Sequence, residues 1–307
     1  MNELQEEIDA INFAPGDEIV LTLLVGWRTF LKIIVPMLPI AVLCAIPPAM
    51  IITAIPIDEI VERMNLNMAM ALRMQLAIEG AITAPFGLLV SLVAMVSAVR
   101  AMAQNHLGVW ANVMTAMRRM LPMIGTMLLL CAIAFVLMLG IGVLVAIFST
   151  LPEPISLLGA FLLVMAVLAV AVVLGVKLAF TWGSVVVGGN FGVGAFTESM
   201  RLVRGKWLQT LAVLIIIGLC GAVMQAPAVL SGVWEGVVMS FTDNFVILSV
   251  ADAVTIALGF VAGLFGSSAW TAFYLLRRKQ CEPQASGAPL DDVQPQDDTV
   301  QPSDFRQ

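Results

Sequence analysis

Residues 121–148 read LPMIGTMLLLCAIAFVLMLGIGVLVAIF, a run without one charged side chain. A second run follows after a short polar gap and reads ISLLGAFLLVMAVLAVAVVLGVK over residues 155–177. A helix needs about twenty apolar residues to cross a hydrocarbon core of about 30 Å. Both runs reach this length, so the sequence predicts a hairpin of two transmembrane helices.

The composition of the whole chain agrees with this reading. Apolar residues make up 60% of the 307 residues and charged residues 12%, with a mean hydropathy of +1.00. Soluble domains are roughly 45–50% apolar and about 25% charged. Four more runs qualify as spans, at 30–55, 80–100, 208–230 and 248–276. We therefore predict an all-α polytopic membrane protein with about six transmembrane helices over residues 19–280.

Basic residues gather on alternate connections between the predicted spans. Positive loops stay on the cytoplasmic side of a membrane. The side with few bases holds Arg63 and Arg73. The other side holds Arg28, Lys32, Arg100, Arg118, Arg119, Lys177, Arg201, Arg204, Lys206, Arg277, Arg278 and Lys279. This asymmetry predicts a multi-pass protein of the bacterial cytoplasmic (inner) membrane, with both termini in the cytoplasm.

Both ends of the chain are acidic. Residues 1–18 carry six acids and no base, and the tail from Glu282 carries six acids and one base, which leaves +5 on the membrane body. We expect 1–18 to be a solvated cytoplasmic segment, not a signal peptide, because a signal begins with basic residues. The segment 281–307 is rich in Pro, Gln, Asp and Ser, which predicts a disordered acidic cytoplasmic tail. Acidic ends also argue against a nucleic-acid partner.

The connection at residues 56–79 is the one long outer segment in this topology. Ile60, Met64, Met68, Leu72 and Leu76 recur in it at a spacing of four. Such periodicity indicates an amphipathic helix. We expect this helix to lie on the outer membrane surface or to cap the bundle.

Two cytoplasmic connections have a similar form. Residues 108–121 read GVWANVMTAMRRML, and residues 191–204 read FGVGAFTESMRLVR. Each predicts a short amphipathic helix at the interface, which we call an elbow helix, and the stretch before the first span has the same form around Trp27. The chain is thus predicted to contain three units, each an elbow helix plus a hairpin of two spans. Ordinary basic interfacial connections would give the same pattern, and both interpretations stay open.

The bases of these connections are the candidate site residues. Arg118, Arg119, Arg201, Arg204 and Lys206 would stand at the depth of the lipid headgroups. Each base near an anionic leaflet contributes about 1 kcal/mol of attraction. These residues are therefore predicted either to bind anionic phospholipids or to serve only as topological anchors.

The sequence offers little for catalysis. His106 is the only histidine, and the four cysteines form no CxxC pair, so we predict no metal, no cofactor and no enzyme activity. Asp252 and Lys177 lie near the ends of their spans and are expected to be interface anchors. The glycine-dense segment 183–194 suggests either a re-entrant turn or close packing against another helix.

Residues 195–216, AFTESMRLVRGKWLQTLAVLII, carry a family resemblance, and so does the ending FGSSAWTAFYLLRRK at 265–279. The matching positions are Ala195, Ser199, Leu202, Arg204, Gly205 and Trp207. The chain resembles the bacterial membrane domain that precedes some glycerophosphoryl diester phosphodiesterases, and the related YciC-like six-helix proteins. The resemblance implies a six-helix membrane fold whose phosphodiesterase activity resides in a separate soluble barrel. We expect that catalytic domain to be absent here.

These observations predict a non-enzymatic integral membrane protein that organises or regulates a membrane partner or lipids. The partner would be another membrane protein or a second copy of the chain in a homo-oligomer. A small-molecule or lipid transporter, or flippase, is the alternative from another class. A polar cluster at the midplane would favour transport, whereas a dry bundle would favour the organiser.

Overall fold

The structure is a computed structural model that describes residues 7–8, 11, 13, 17–56, 68–104, 108–150, 152, 155–239, 241–242 and 244–281. Across these residues it contains helices and no strand. The helices are α1 Glu18–Ala54, α2 Met68–Met102, α3 Val109–Ser149, α4 Ile155–Lys177, α5 Thr181–Val186, α6 Val193–Val203, α7 Trp207–Met224, α8 Ala226–Met239 and α9 Phe245–Cys281. The predicted disordered tail lies, from residue 282 on, outside the described residues.

Six helical segments are long and apolar enough to cross a membrane. They are Glu18–Ala54, Arg73–Met102, Val109–Ser149, Ser156–Val186, Trp207–Trp234 and Phe245–Cys281. The predicted all-α polytopic class and its six spans are confirmed, and the chain is an integral membrane protein. Several helices exceed the predicted bounds, since the 37 residues of α1 extend about 55 Å at 1.5 Å per residue.

The buried core lies where α1, α2 and α9 pack together. On α1 the buried residues Gly26, Phe30, Ile33 and Met37 recur every three or four positions, which is one face of a helix. Three contacts define how α1 meets α9: Glu18 with Arg277, Gly26 with Ala269, and Thr53 with Asp252. One residue number rises as the other falls, so the two helices run antiparallel along most of their length.

The α3–α4 hairpin contrasts with this core. None of the residues in the most apolar stretch of α3 is buried, and Phe135 and Phe161 are 65% and 62% exposed. A helix that is apolar on all sides is stable in lipid, because its backbone hydrogen bonds are internal and hydrocarbon solvates its side chains. The part of this hairpin beyond Thr126 is therefore left uncovered by the other described helices, and a bilayer can solvate it.

The predicted outer segment and elbow helices differ from the structure. Residues 57–67 lie outside the described part of the chain, and 68–79 form the first turns of α2. The elbow at 108–121 is continuous with the third span, and the stretch before the first span is continuous with α1. α6 is a separate helix because Gly192 and Gly205, with φ of +57° and +77°, turn the chain on both sides of it.

The fifth span, predicted as one helix over 208–230, is interrupted. α7 ends at Met224 and α8 begins at Ala226, with Gln225 between them. Pro227 lies in the first turn of α8, where a residue without a backbone N–H is tolerated. The break thus lies where proline can start a helix but cannot continue one.

The N-terminal segment was predicted to be solvated. Among its described residues Asp17 is exposed, whereas Ile8, Ile11 and Glu18 are buried. Ile8 and Ile11 are only 1% and 4% exposed. The Lys279 ammonium donates a hydrogen bond to the Ile11 carbonyl, and Glu7 pairs with Arg100. We call the described residues of this segment, 7–8, 11, 13 and 17–18, the N-terminal strap. Its acids Glu7 and Glu18 pair with the buried bases Arg100 and Arg277, which a count of charges along the sequence does not reveal.

Candidate anion sites at the basic end

One end of the bundle collects the bases of several helices, and we call it the basic end. Lys32 of α1 donates to the Ala101 carbonyl at the end of α2, at 3.5 Å between nitrogen and oxygen. Lys206, just before α7, donates to the Gln280 side chain near the end of α9, at 3.0 Å. The helix ends that the sequence predicted to share one side of the membrane therefore meet in space.

The most deeply buried base at this end is Arg277, which is fully buried. Its Nε lies 3.0 Å from Glu18 Oε1, and its Nη2 lies 3.4 Å from the Thr210 hydroxyl oxygen. The guanidinium also lies 5.6 Å from the centre of the Phe273 ring. These contacts join α1, α7 and α9. Arg277 is thus engaged in holding helices together.

Arg100 is the second buried base, and it lies at the end of α2. Its guanidinium donates to the Asn112 side-chain oxygen and, at 3.3 Å, to the Thr115 hydroxyl. Asn112 in turn donates to the Ser97 hydroxyl at 2.9 Å. A cavity of about 640 Å³ opens beside this group, between α1, α2 and the start of α3.

Glu198 of α6 forms the third polar cluster. The Tyr274 hydroxyl donates to Glu198 Oε1 at 2.8 Å, while the Ser184 hydroxyl and the Asn190 amide donate to Glu198 Oε2. A satisfied carboxylate of this kind fixes the elements that supply its donors. It therefore holds α6 against α5 and α9.

The glycine-dense segment contributes to the same contact. A Cβ atom on Gly183 would lie 2.6 Å from the Tyr274 Cγ, which is closer than real atoms approach. Glycine at 183 is therefore required for α5 to reach α9. Of the two roles that the sequence left open for residues 183–194, close packing accounts for Gly183.

The five candidate bases do not form one cluster. Arg118 and Arg119 lie on α3, and Arg201 lies on α6. Arg204 and Lys206 lie in the turn between α6 and α7. All are exposed except Arg119, which is half-buried beside Gly189.

Arg204 belongs to a groove that sequence reasoning did not identify. The groove has a volume of about 420 Å³ and lies between α4, α6 and α7. It is lined by Val173, Val176, Lys177, Met200, Val203, Arg204, Gly205 and Trp207. Two bases thus border a surface that is otherwise mainly apolar. This combination suits an amphiphile with an anionic head and a hydrocarbon chain.

The sequence analysis did not identify three side chains that join different parts of the fold: Arg100, Arg277 and Glu198. Arg100 and Arg277 entered the sequence argument only as topological charges, because nothing local marks their partners Glu7 and Glu18. Glu198 carried one signal, since it is the single acid in the elbow at 191–204. An isolated acid among apolar and basic residues is a sign of a buried hydrogen-bond acceptor.

Comparison of the chain with protein-family models, curated proteins and solved structures finds no match. The resemblance carried by residues 195–216 and 265–279 therefore stays a prediction. The functional proposals rest on the geometry of the basic end.

Proposed function

We propose that this chain is a non-enzymatic membrane protein that organises anionic phospholipids, with one lipid held in the groove beside Lys177 and Arg204. The observation that carries the proposal is the pairing of two exposed bases with an apolar floor in a single groove. The lipid phosphate would bind the bases, and an acyl chain would lie along Val173 and Val176.

The charges of the groove favour this ligand. Among the described residues, no acid lines the groove and neither of its bases forms an ion pair. Two bases near an anionic leaflet supply about 2 kcal/mol of attraction, at about 1 kcal/mol each. The groove is thus expected to attract negatively charged lipid headgroups.

The orientation completes the proposal. We place the basic end on the cytoplasmic side of a bacterial inner membrane, because bases are retained on that side. The cytoplasmic leaflet carries the anionic lipids that polybasic surfaces attract. Regulation of a membrane partner, or of a second copy of the chain, belongs to the same proposal.

A lipid or small-molecule transporter is the alternative. Transport across the bilayer generally requires ionisable or polar groups near the midplane. In this chain the ionisable side chains of the spans lie towards their ends, such as Arg100 and Arg277 at one end and Asp252 at the other. Asp252 accepts a hydrogen bond from Thr53 at 2.6 Å and joins α9 to α1. This distribution supports the organiser.

The test compares two double variants that remove equal charge. Lys177→Gln with Arg204→Gln changes the groove, whereas Arg118→Gln with Arg201→Gln changes exposed bases elsewhere. Native mass spectrometry in phosphatidylglycerol-containing detergent measures bound lipid. We expect the groove variant to bind roughly thirtyfold more weakly, which corresponds to the loss of about 2 kcal/mol.

The matched control should lose much less lipid. Equal losses in both double variants would mean that total charge, and not the groove, retains lipid. Reporter fusions at residues 195 and 285 monitor orientation in every variant. Unchanged lipid with mixed orientation would identify the bases as topological anchors and contradict the proposal.

A further inference from the structure

The cavity at the start of α3 is chemically different from the groove. Its volume is about 640 Å³, and its polar lining residues are Lys32, Ser97, Arg100, Gln104 and Asn112. Two of them are bases, and no acid lines the cavity among the described residues. The cavity therefore combines positive charge with neutral hydrogen-bonding groups.

Arg100 is held rigidly in this lining. It is 3% exposed, and Asn112 and Thr115 fix its two terminal nitrogens. The remaining nitrogen, Nε, is buried and makes no hydrogen bond to a described residue. Its opposite charge is the Glu7 carboxylate of the strap, with Nε and Oε2 3.5 Å apart. The Nε–H of this guanidinium can therefore donate a hydrogen bond to an anionic oxygen that approaches more closely than the Glu7 carboxylate does.

The first turn of α3 adds to the positive potential. Gly108 is the N-cap residue of this 41-residue helix and provides no side-chain cap, and both Gly108 and Val109 line the cavity. The first N–H groups of a helix have no partners within the helix, and they favour anions. The N-terminus supports the two bases and does not define the site by itself.

We propose that this cavity binds a phosphate group, with Lys32 and Arg100 as its cationic partners, and that Glu7 competes with it. Phosphate offers several acceptor oxygens to the guanidinium and the ammonium at once. The group would be a lipid headgroup or a free phosphate ion. The inference is independent of the groove, which is built from α4, α6 and α7.

Competition follows from charge. Glu7 supplies the countercharge of Arg100 in the structure. A bound phosphate places a second negative charge near Glu7, which weakens the hold of the strap on the bundle. Ile8 and Ile11 are buried in the seated strap, and release of the strap would expose them. Phosphate binding and strap release are thus linked, and each favours the other.

The test uses the full chain in detergent with three single variants. Glu7→Gln removes the competing charge, and Lys32→Gln removes one phosphate partner. Arg28→Gln is the matched control, since Arg28 is exposed one turn earlier on α1 and does not line the cavity. Two probes are titrated: inorganic phosphate by calorimetry, and short-chain phosphatidylglycerol by native mass spectrometry.

We expect one site in the unmodified chain. The affinity should rise roughly tenfold in Glu7→Gln and fall roughly tenfold in Lys32→Gln, as charged hydrogen bonds of this kind dictate. Arg28→Gln should stay within about twofold. Hydrogen exchange at Ile8 and Ile11 should become faster when the probe binds, which a merely structural role of Arg100 would not produce.

The two probes separate the sources of phosphate. Binding of inorganic phosphate that responds to Glu7 and Lys32 supports a free-phosphate site, and the same response with the lipid alone supports a headgroup site. The proposal is overturned if neither probe binds to Glu7→Gln, or if both variants match the control with both probes. The double variant Lys177→Gln and Arg204→Gln should leave inorganic phosphate binding intact, so failure of the groove and failure of this cavity are distinguishable.

Discussion

The α1–α9 pair and the α3–α4 hairpin are all apolar enough to cross a membrane, the hairpin more so, yet α1 and α9 bury each other while most of the hairpin stays exposed. Along α1–α9, an ion pair, a glycine contact and a hydroxyl–carboxylate hydrogen bond follow one another from end to end. The exposed large side chains of the α3–α4 hairpin beyond Thr126 are leucine, isoleucine, valine, methionine and phenylalanine. Hydropathy therefore decides that a helix enters the membrane, whereas small and polar residues decide which helix it packs against.

α3 shows the same difference within one helix. Near the basic end its residues Asn112, Ala116, Met123 and Thr126 form a buried stripe. Beyond Thr126 no α3 residue is buried. The stripe ends where small and polar residues give way to large apolar ones, and protein contact ends with it.

We expect the largest loss of stability when the countercharge of Arg277 is removed. Glu18→Leu leaves this fully buried guanidinium without its carboxylate, and removing one partner of a buried pair costs about 3–5 kcal/mol. The thermal midpoint in detergent should fall by many degrees. Glu79→Leu, at an exposed hydrogen bond to Gln75, is the control and should cost less than about 1 kcal/mol. Equal effects would show that the Arg277 pair does not stabilise the core.

A second prediction compares two glycines. A Cβ atom on Gly26 would lie 2.7 Å from the Ala269 Cα, so Gly26→Ala forces α1 and α9 apart and should cost about 1–3 kcal/mol. Gly140 of the hairpin has no atom within 4 Å of the same position. Gly140→Ala should therefore not lower the free energy of unfolding, and the higher helix propensity of alanine should raise it by up to about 1 kcal/mol. Denaturant titration of both variants measures the difference, and similar costs would contradict the close approach.

The smallest effect is expected on the exposed side of the hairpin. Phe161 is 62% exposed, so Phe161→Ala removes few contacts with other helices, and lipid contacts the site before and after the change. The thermal midpoint should change by no more than the equivalent of about 0.5 kcal/mol. A large drop would mean that a protein surface covers Phe161 in the membrane, and crosslinking through the exposed Cys131 would then show whether that surface is a second copy.

The six spans could be predicted from the sequence because each is a long apolar run, and a bilayer core admits few segments other than apolar helices. The sequence did not predict the strap, because Glu7 and Glu18 resemble solvated acids until Arg100 and Arg277 are brought to them from distant parts of the chain. Nor did it separate α6 from the other elbows, since that depends on Gly205 taking a positive φ. Arg204 was predicted as a site residue, whereas its partner Lys177 was predicted only as an anchor, because their proximity arises from tertiary structure.

The pairing of α1 with α9 also bears on how the chain is made. α9 begins about 230 residues after α1, and ribosomes add about 5–20 residues per second. For roughly 10–45 s at these rates the first helix is therefore in the membrane without its main partner. During that interval its glycine face and the Glu18 carboxylate are open to other helices. The core is thus completed only after the other described helices have been made, and a chain interrupted before α9 would be a substrate for membrane quality control.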